Sequence, residues 1–225
     1  MGADKAVLFE VLKVASMKIK LKELGPVTTF LGIEINLDLK KGELTLHQTK
    51  YIRSLLSRFH KENLIPRDTP VAEGVKLQKA NSEPSKEDLK SFQQQVGSLL
   101  YLATKTRPDI AFAVGNCARY MSKPDKTHFA ALDRIWGYLL RYPDLGLFFR
   151  FNQETLALVG YCDTDWANCL MNRKSITGYC FFFGRGNIIS WNSALQKTVA
   201  LSTCEAEYMA MREAIKEVIY LTNML

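Results

Sequence analysis

The chain is predicted to belong to the α/β (α+β) class, with a helical and hairpin-bearing front part followed by a three-stranded antiparallel meander and a helix. Three observations predict this. Apolar residues recur at helical spacing through most of residues 5–141. Near residue 154 that period gives way to short apolar runs broken by tight turns. A last helical stretch then follows the runs directly, as in a layered α/β unit.

In chain order, Val7, Leu8, Val11, Leu12 and Val14 mark a helix over Lys5–Lys22, stopped by Gly25-Pro26. Thr29–Leu37 reads as a strand, and Lys40-Lys41-Gly42 turns it into a second, Glu43–His47. Tyr51, Ile52, Leu55, Leu56 and Phe59 form an apolar helical stripe. Residues 72–88 are polar, carry Gly74 and Pro84, and read as a linker or long loop. Helices are predicted over Leu89–Leu102, Ile110–Met121 and about Lys126–Arg141, with Thr106-Arg107-Pro108-Asp109 as a helix start. Leu156–Cys162, Ser175–Phe183 and Asn187–Trp191 are the strands of the meander, and Thr203–Leu225 is the final helix. The reading divides the chain at 1–71, 72–153 and 154–225.

The hydrophobic share of 47% and the charged share of 24% are those of an ordinary globular protein. No apolar run is long enough to span a bilayer, and no signal-peptide pattern opens the chain, so an intracellular (cytoplasmic or nuclear) protein is expected. The five cysteines are scattered without a Cys-x-x-Cys pair, which argues against a disulfide framework or a structural zinc site. Net charge is +7; residues 161–225 hold six basic and six acidic groups, so the whole excess lies in residues 1–160. A basic part beside a neutral part with clustered acids suits a polyanion-binding surface next to a cation site.

Two acid pairs form that cluster: Asp163 and Asp165 at a strand end, and Glu205 and Glu207 at a helix start. Carboxylates gathered from such places can hold hard cations such as Mg²⁺. A pair of these ions can activate water for phosphodiester cleavage. Ser202-Thr203-Cys204-Glu205 has the form of a capping box, which gives Glu205 a structural task at the Ser202 backbone. Glu207 has no such explanation. Spacing alone does not choose between Asp163 and Asp165.

The run GYCDTDWANCLMNRKSITGYCFFFGRGNIISWNSALQKTVALSTCEAEYMAM resembles the ribonuclease H domain of Ty1/copia-type retrotransposon Pol polyproteins. ELGPVTTFLGIEI, LTLHQTKYIRSLLSRF and VGSLLYLATKTRPDIAFAV resemble the end of that family's reverse transcriptase and its connecting region. The resemblance implies a reverse-transcriptase remnant over 1–71, a connecting region over 72–153 and a partial ribonuclease-H-like domain over 154–225. It also implies Mg²⁺- or Mn²⁺-dependent cleavage of RNA in RNA–DNA hybrids.

Asp163 matches the family's first catalytic aspartate and Glu207 its helix glutamate, both as metal ligands, while Asp165 is a possible additional acid. Arg173, Ser202 and Thr203 are the positions expected to touch nucleic acid. Asn168, Met171-Asn172 and Lys197 depart from the family's pattern. The resemblance places the Tyr-x-Asp-Asp polymerase motif ahead of residue 1 and two further aspartates beyond Leu225. The expectation is therefore a catalytically incomplete segment that holds Mg²⁺ weakly at most and keeps nucleic-acid binding. The alternatives are a ribonuclease H completed by other residues or another chain, and a co-opted, non-enzymatic interaction protein. An unpaired sheet edge, with Val218, Leu221 and Leu225 partly uncovered, predicts self-association.

Overall fold

Turn chemistry shapes the front of the molecule, in a computed structural model that describes residues 5–20, 25–151, 157–167, 172–184 and 186–224. Helix α1 (Lys5–Ser16) is shorter than its apolar pattern predicts, and Phe9, Val11 and Val14 on it are exposed. The predicted strand over Thr29–Leu37 is two strands, β1 (Thr29–Phe30) and β2 (Ile33–Asp38). Leu31 and Gly32 between them take φ of +48° and +75°, the left-handed pair of a tight hairpin turn. The turn after Asp38 leads into β3 (Glu43–His47), antiparallel to β2 in the register Ile35–Leu46.

The predicted helical stripe becomes α2 (Thr49–Arg58), which buries Ile52, Leu55 and Leu56. Helix α3 (Lys86–Lys105) starts at Ser85, whose Oγ accepts from the Asp88 N–H at 3.0 Å. The turn at Pro108–Ile110 is a single 3-10 turn running into α4 (Ala111–Ala118). Helix α5 (Lys126–Arg141) opens on a capping box in which Asp125 accepts from the N–H groups of Thr127 and His128. Phe92, Val96, Leu99, Leu132, Ile135, Trp136 and Leu139 interlock with the α2 stripe in one apolar core. Within it the Trp136 indole donates to Gln95 Oε1 at 2.9 Å, so the large ring is buried with no polar debt.

A strand absent from the sequence reading, β4 (Gly146–Arg150), closes this part of the molecule. It pairs antiparallel with β3, giving a sheet of order β1-β2-β3-β4. Only glycine fits at 146, because a Cβ there would collide with the Leu46 carbonyl and the His47 side chain. Residues 1–71 and 72–153 are thus joined by a sheet as well as by a core. Segment 63–85 lies against α5 and the connection before it: the Arg67 N–H donates to the Gly137 carbonyl at 3.1 Å, and the Tyr120 hydroxyl, between α4 and α5, donates to the Leu77 carbonyl at 2.8 Å.

Arg107 is fully buried and joins three elements. Its guanidinium grips Asp109 through Nε and Nη2, donates from Nη1 to the Tyr142 carbonyl at 2.9 Å, and lies over the Tyr138 ring. The meander is β5 (Leu158–Asp165), β6 (Ile176–Phe183) and β7 (Asn187–Leu195), an antiparallel sheet of order β5-β6-β7. Helix α6 (Thr203–Met224) packs on β5 and β6 through Ala206, Ala210 and Ala214. The opposite face of β7 rests on the helices, with the Trp191 indole donating to the Ala103 carbonyl at 2.8 Å. The class is mixed α/β with two antiparallel sheets, as the sequence predicts at that level.

Candidate functional site

Asp163 lies on β5, opposite Gly178 of β6 in the sheet register. Its strand neighbour Thr164 points at α6: its Oγ1 accepts from Gln196 Nε2 at 3.3 Å, and the same nitrogen donates to Thr177 Oγ1 at 3.1 Å and to the Ala206 carbonyl at 2.9 Å. Successive residues of a strand face opposite ways, so Asp163 and Asp165 are aimed at the face α6 does not cover. Asp163 is exposed there and Asp165 half-buried. Val159 and Tyr161 share that face and are exposed as well.

On the other element, Ser202 Oγ accepts from the Glu205 N–H at 3.1 Å. The Glu205 carboxylate accepts from the Leu201 N–H at 2.6 Å, one residue before the predicted Ser202. Glu205 is therefore a capping residue, with the reciprocal bond shifted outward by one position. Glu207 is exposed on α6, next to the fully buried Ala206. The structure thus sets Asp163 and Glu207 on two elements that pack together but aims Asp163 away from the helix.

Among the described residues no group of three His, Cys, Asp or Glu side chains stands close enough to hold a metal ion. Carboxylate oxygens suit a hard cation such as Mg²⁺. Two exposed carboxylates aimed as these are do not by themselves make its site.

Of the residues expected at nucleic acid, Thr203 and Arg173 are exposed, the latter at a left-handed turn with φ +57°, and exposed Ser202 spends its hydroxyl on the cap. Asn168 and Met171 lie outside the described residues. Gln196 escaped the sequence reading although it ties β5, β6 and α6 together; a lone glutamine after a strand carries no signal of such a role. Gly160 has a comparable part, since the Phe181 ring occupies the space a Cβ would need. Below α6, the Tyr179 phenol is held above its usual range, by burial first and then by the charge of Glu217.

A Pol polyprotein from the tobacco (Nicotiana tabacum) transposon TNT 1-94 is 40% identical over all of this chain. The RE2 transposon Pol polyprotein of Arabidopsis thaliana is 36% identical, also over the full chain. This chain belongs to the Pol polyprotein family of copia-type retrotransposons. It spans only 17% and 15% of the lengths of those two relatives. An uncharacterized mitochondrial protein of Arabidopsis thaliana is 37% identical over 93% of the chain, which covers 85% of that protein. No protein-family model and no solved structure matches the chain. No helix among the described residues is long and apolar enough to cross a membrane.

Proposed function

We propose that this Pol segment comprises the end of a reverse transcriptase, its connecting region and the start of a ribonuclease-H-like domain. On its own it binds RNA–DNA hybrid without cutting it. The observation that supports this reading is the layer of β5, β6, β7 and α6, in which Asp163 faces away from the helix that carries Glu207. The net charge of +7, all of it within residues 1–160, supports attraction of a polyanion. Mg²⁺ would supply charge neutralisation at a phosphate, but Asp163, aimed away from the helix that carries Glu207, does not join it in a site for the ion.

The test is a labelled RNA–DNA hybrid incubated with Mg²⁺ or Mn²⁺ and the chain or its Asp163→Asn variant. The expected result is retention of the hybrid, weakening steeply with salt, and no cleavage. Metal-dependent cutting that disappears in Asp163→Asn would show a working nuclease instead.

β5 borders no further strand among the described residues, and an open edge favours pairing with a second chain. The predicted Val218 and Leu221 are half-buried, as expected, Leu225 lies outside the described residues, and Tyr208, Met211, Ile215, Ile219, Tyr220 and Met224 of α6 are exposed as well. Sedimentation at micromolar concentration should show self-association; a monomer throughout that range contradicts it.

A further inference from the structure

Segment 63–85 and the helices α4 and α5 line a groove of about 530 Å³, to which neither Asp163 nor Glu207 contributes. Val71, Leu77, Ala113 and Ile135 give it apolar walls. That volume lies within the range of small-molecule sites, roughly 300–1,000 Å³. Two arginines, Arg119 of the α4 C-terminus and Arg134 of α5, stand in the same lining.

Their hydrogen-bond accounts do not close. Arg119 Nη2 donates to Asn116 Oδ1, and Arg134 Nη2 donates to Thr69 Oγ1 at 2.7 Å. Arg119 Nε and Nη1 and Arg134 Nε are shielded from solvent and meet no acceptor among the described residues. Buried donors without partners are rare in folded proteins and each one is costly. The acid in the lining, Asp133, is engaged by Lys61 at 2.5 Å. With Asp133 so engaged, the remaining charged side chains of the lining, Arg67, Lys76, Arg119 and Arg134, leave the groove positive.

We infer that this groove is a binding site for a small amphipathic carboxylate, its apolar body against Val71, Leu77 and Ile135 and its head on the Arg119 and Arg134 guanidinium groups. A carboxylate offers acceptor oxygens in the planar geometry that guanidinium groups match. An alcohol of equal chain length fills the same apolar space but cannot answer the charge.

The experiment is calorimetric titration of the full chain with decanoate and, separately, decanol, both below their aggregation limits. One saturable decanoate site is expected, with decanol at least tenfold weaker. Arg119→Gln with Arg134→Gln should remove that preference. Ala130→Phe, which adds bulk at an exposed lining position, should abolish binding of both. Circular dichroism and urea midpoints would establish that each variant is folded. Absence of decanoate binding, equal affinity for decanol, or binding that survives Ala130→Phe would each overturn the assignment.

Discussion

Alanine in place of a helix-interior glycine should have opposite signs at two places in this molecule. Gly97 in α3 is exposed, and a Cβ there would meet nothing within 4 Å. Helix propensity alone then applies, favouring alanine by about 1 kcal/mol. Gly137 in α5 is buried, and its Cβ would stand 2.7 Å from the Ile65 carbonyl oxygen and 3.0 Å from Arg67 Cγ. The first of these atoms is backbone, so segment 63–85 must shift. Overpacking of this kind costs roughly 1–3 kcal/mol. The shift also strains the Arg67 N–H bond to the Gly137 carbonyl, worth about 1 kcal/mol. Against a propensity gain of about 1 kcal/mol, Gly137→Ala should lose about 1–3 kcal/mol net, while Gly97→Ala gains up to about 1. Urea unfolding followed by circular dichroism measures both, with a midpoint falling by about 0.5–1 M for the first at ordinary slopes. A higher midpoint for Gly137→Ala would refute the claim that segment 63–85 is pressed against α5.

Arg107→Lys keeps the charge but loses the fork to Asp109 and the bond to the Tyr142 carbonyl, and should destabilise by about 2–4 kcal/mol in the same assay. Burial raises the Glu34 carboxyl, yet the Lys50 backbone N–H, His47 and the Lys50 ammonium outweigh it and hold its pKa below the usual range. Its ionised form therefore stabilises the fold above the ordinary carboxylate pKa, and that contribution is lost as pH falls through the depressed one. Glu34→Gln should accordingly lower the urea midpoint at pH 7 and match the parent in acid. Asp125→Ala removes the α5 cap and should cost about 1 kcal/mol near neutrality; burial opposes ionisation of Asp125 too, but the Thr127 hydroxyl and the His128 N–H prevail. Burial pushes the Cys117 thiol up to about 12, so iodoacetamide at pH 8 should label exposed Cys162 and Cys204 and reach Cys117 only on unfolding, as peptide mass mapping would show.

Helices with one apolar stripe were readable because their pattern is local: α2 and α5 follow from residues three and four apart, and Thr106-Arg107-Pro108-Asp109 marked the start of α4 correctly. Strand β4 was not readable. GLFFR is short, follows Pro143, and finds its partner Glu43–His47 about a hundred residues earlier, a pairing no local pattern reveals. Leu31-Gly32 was hidden for another reason: an apolar leucine at positive φ does not look like a turn residue. At the acid cluster, the capping role of Glu205 was legible from Ser202 three residues before it. The aim of Asp163 was not, since it depends on Gln196 drawing Thr164 toward α6.

Asn187 accepts from the Arg150 N–H at 2.9 Å and donates to the Arg150 carbonyl at 3.0 Å, so one side-chain amide occupies both outward backbone groups of β4 at that point. An amide side chain here does what a neighbouring peptide unit would do in a ladder. The outer margin of the first sheet is in that sense plugged by a single residue of the second. A stray extended chain seeking to add itself there would first have to evict it, so solubility of the front half rests partly on a side chain more than thirty residues downstream.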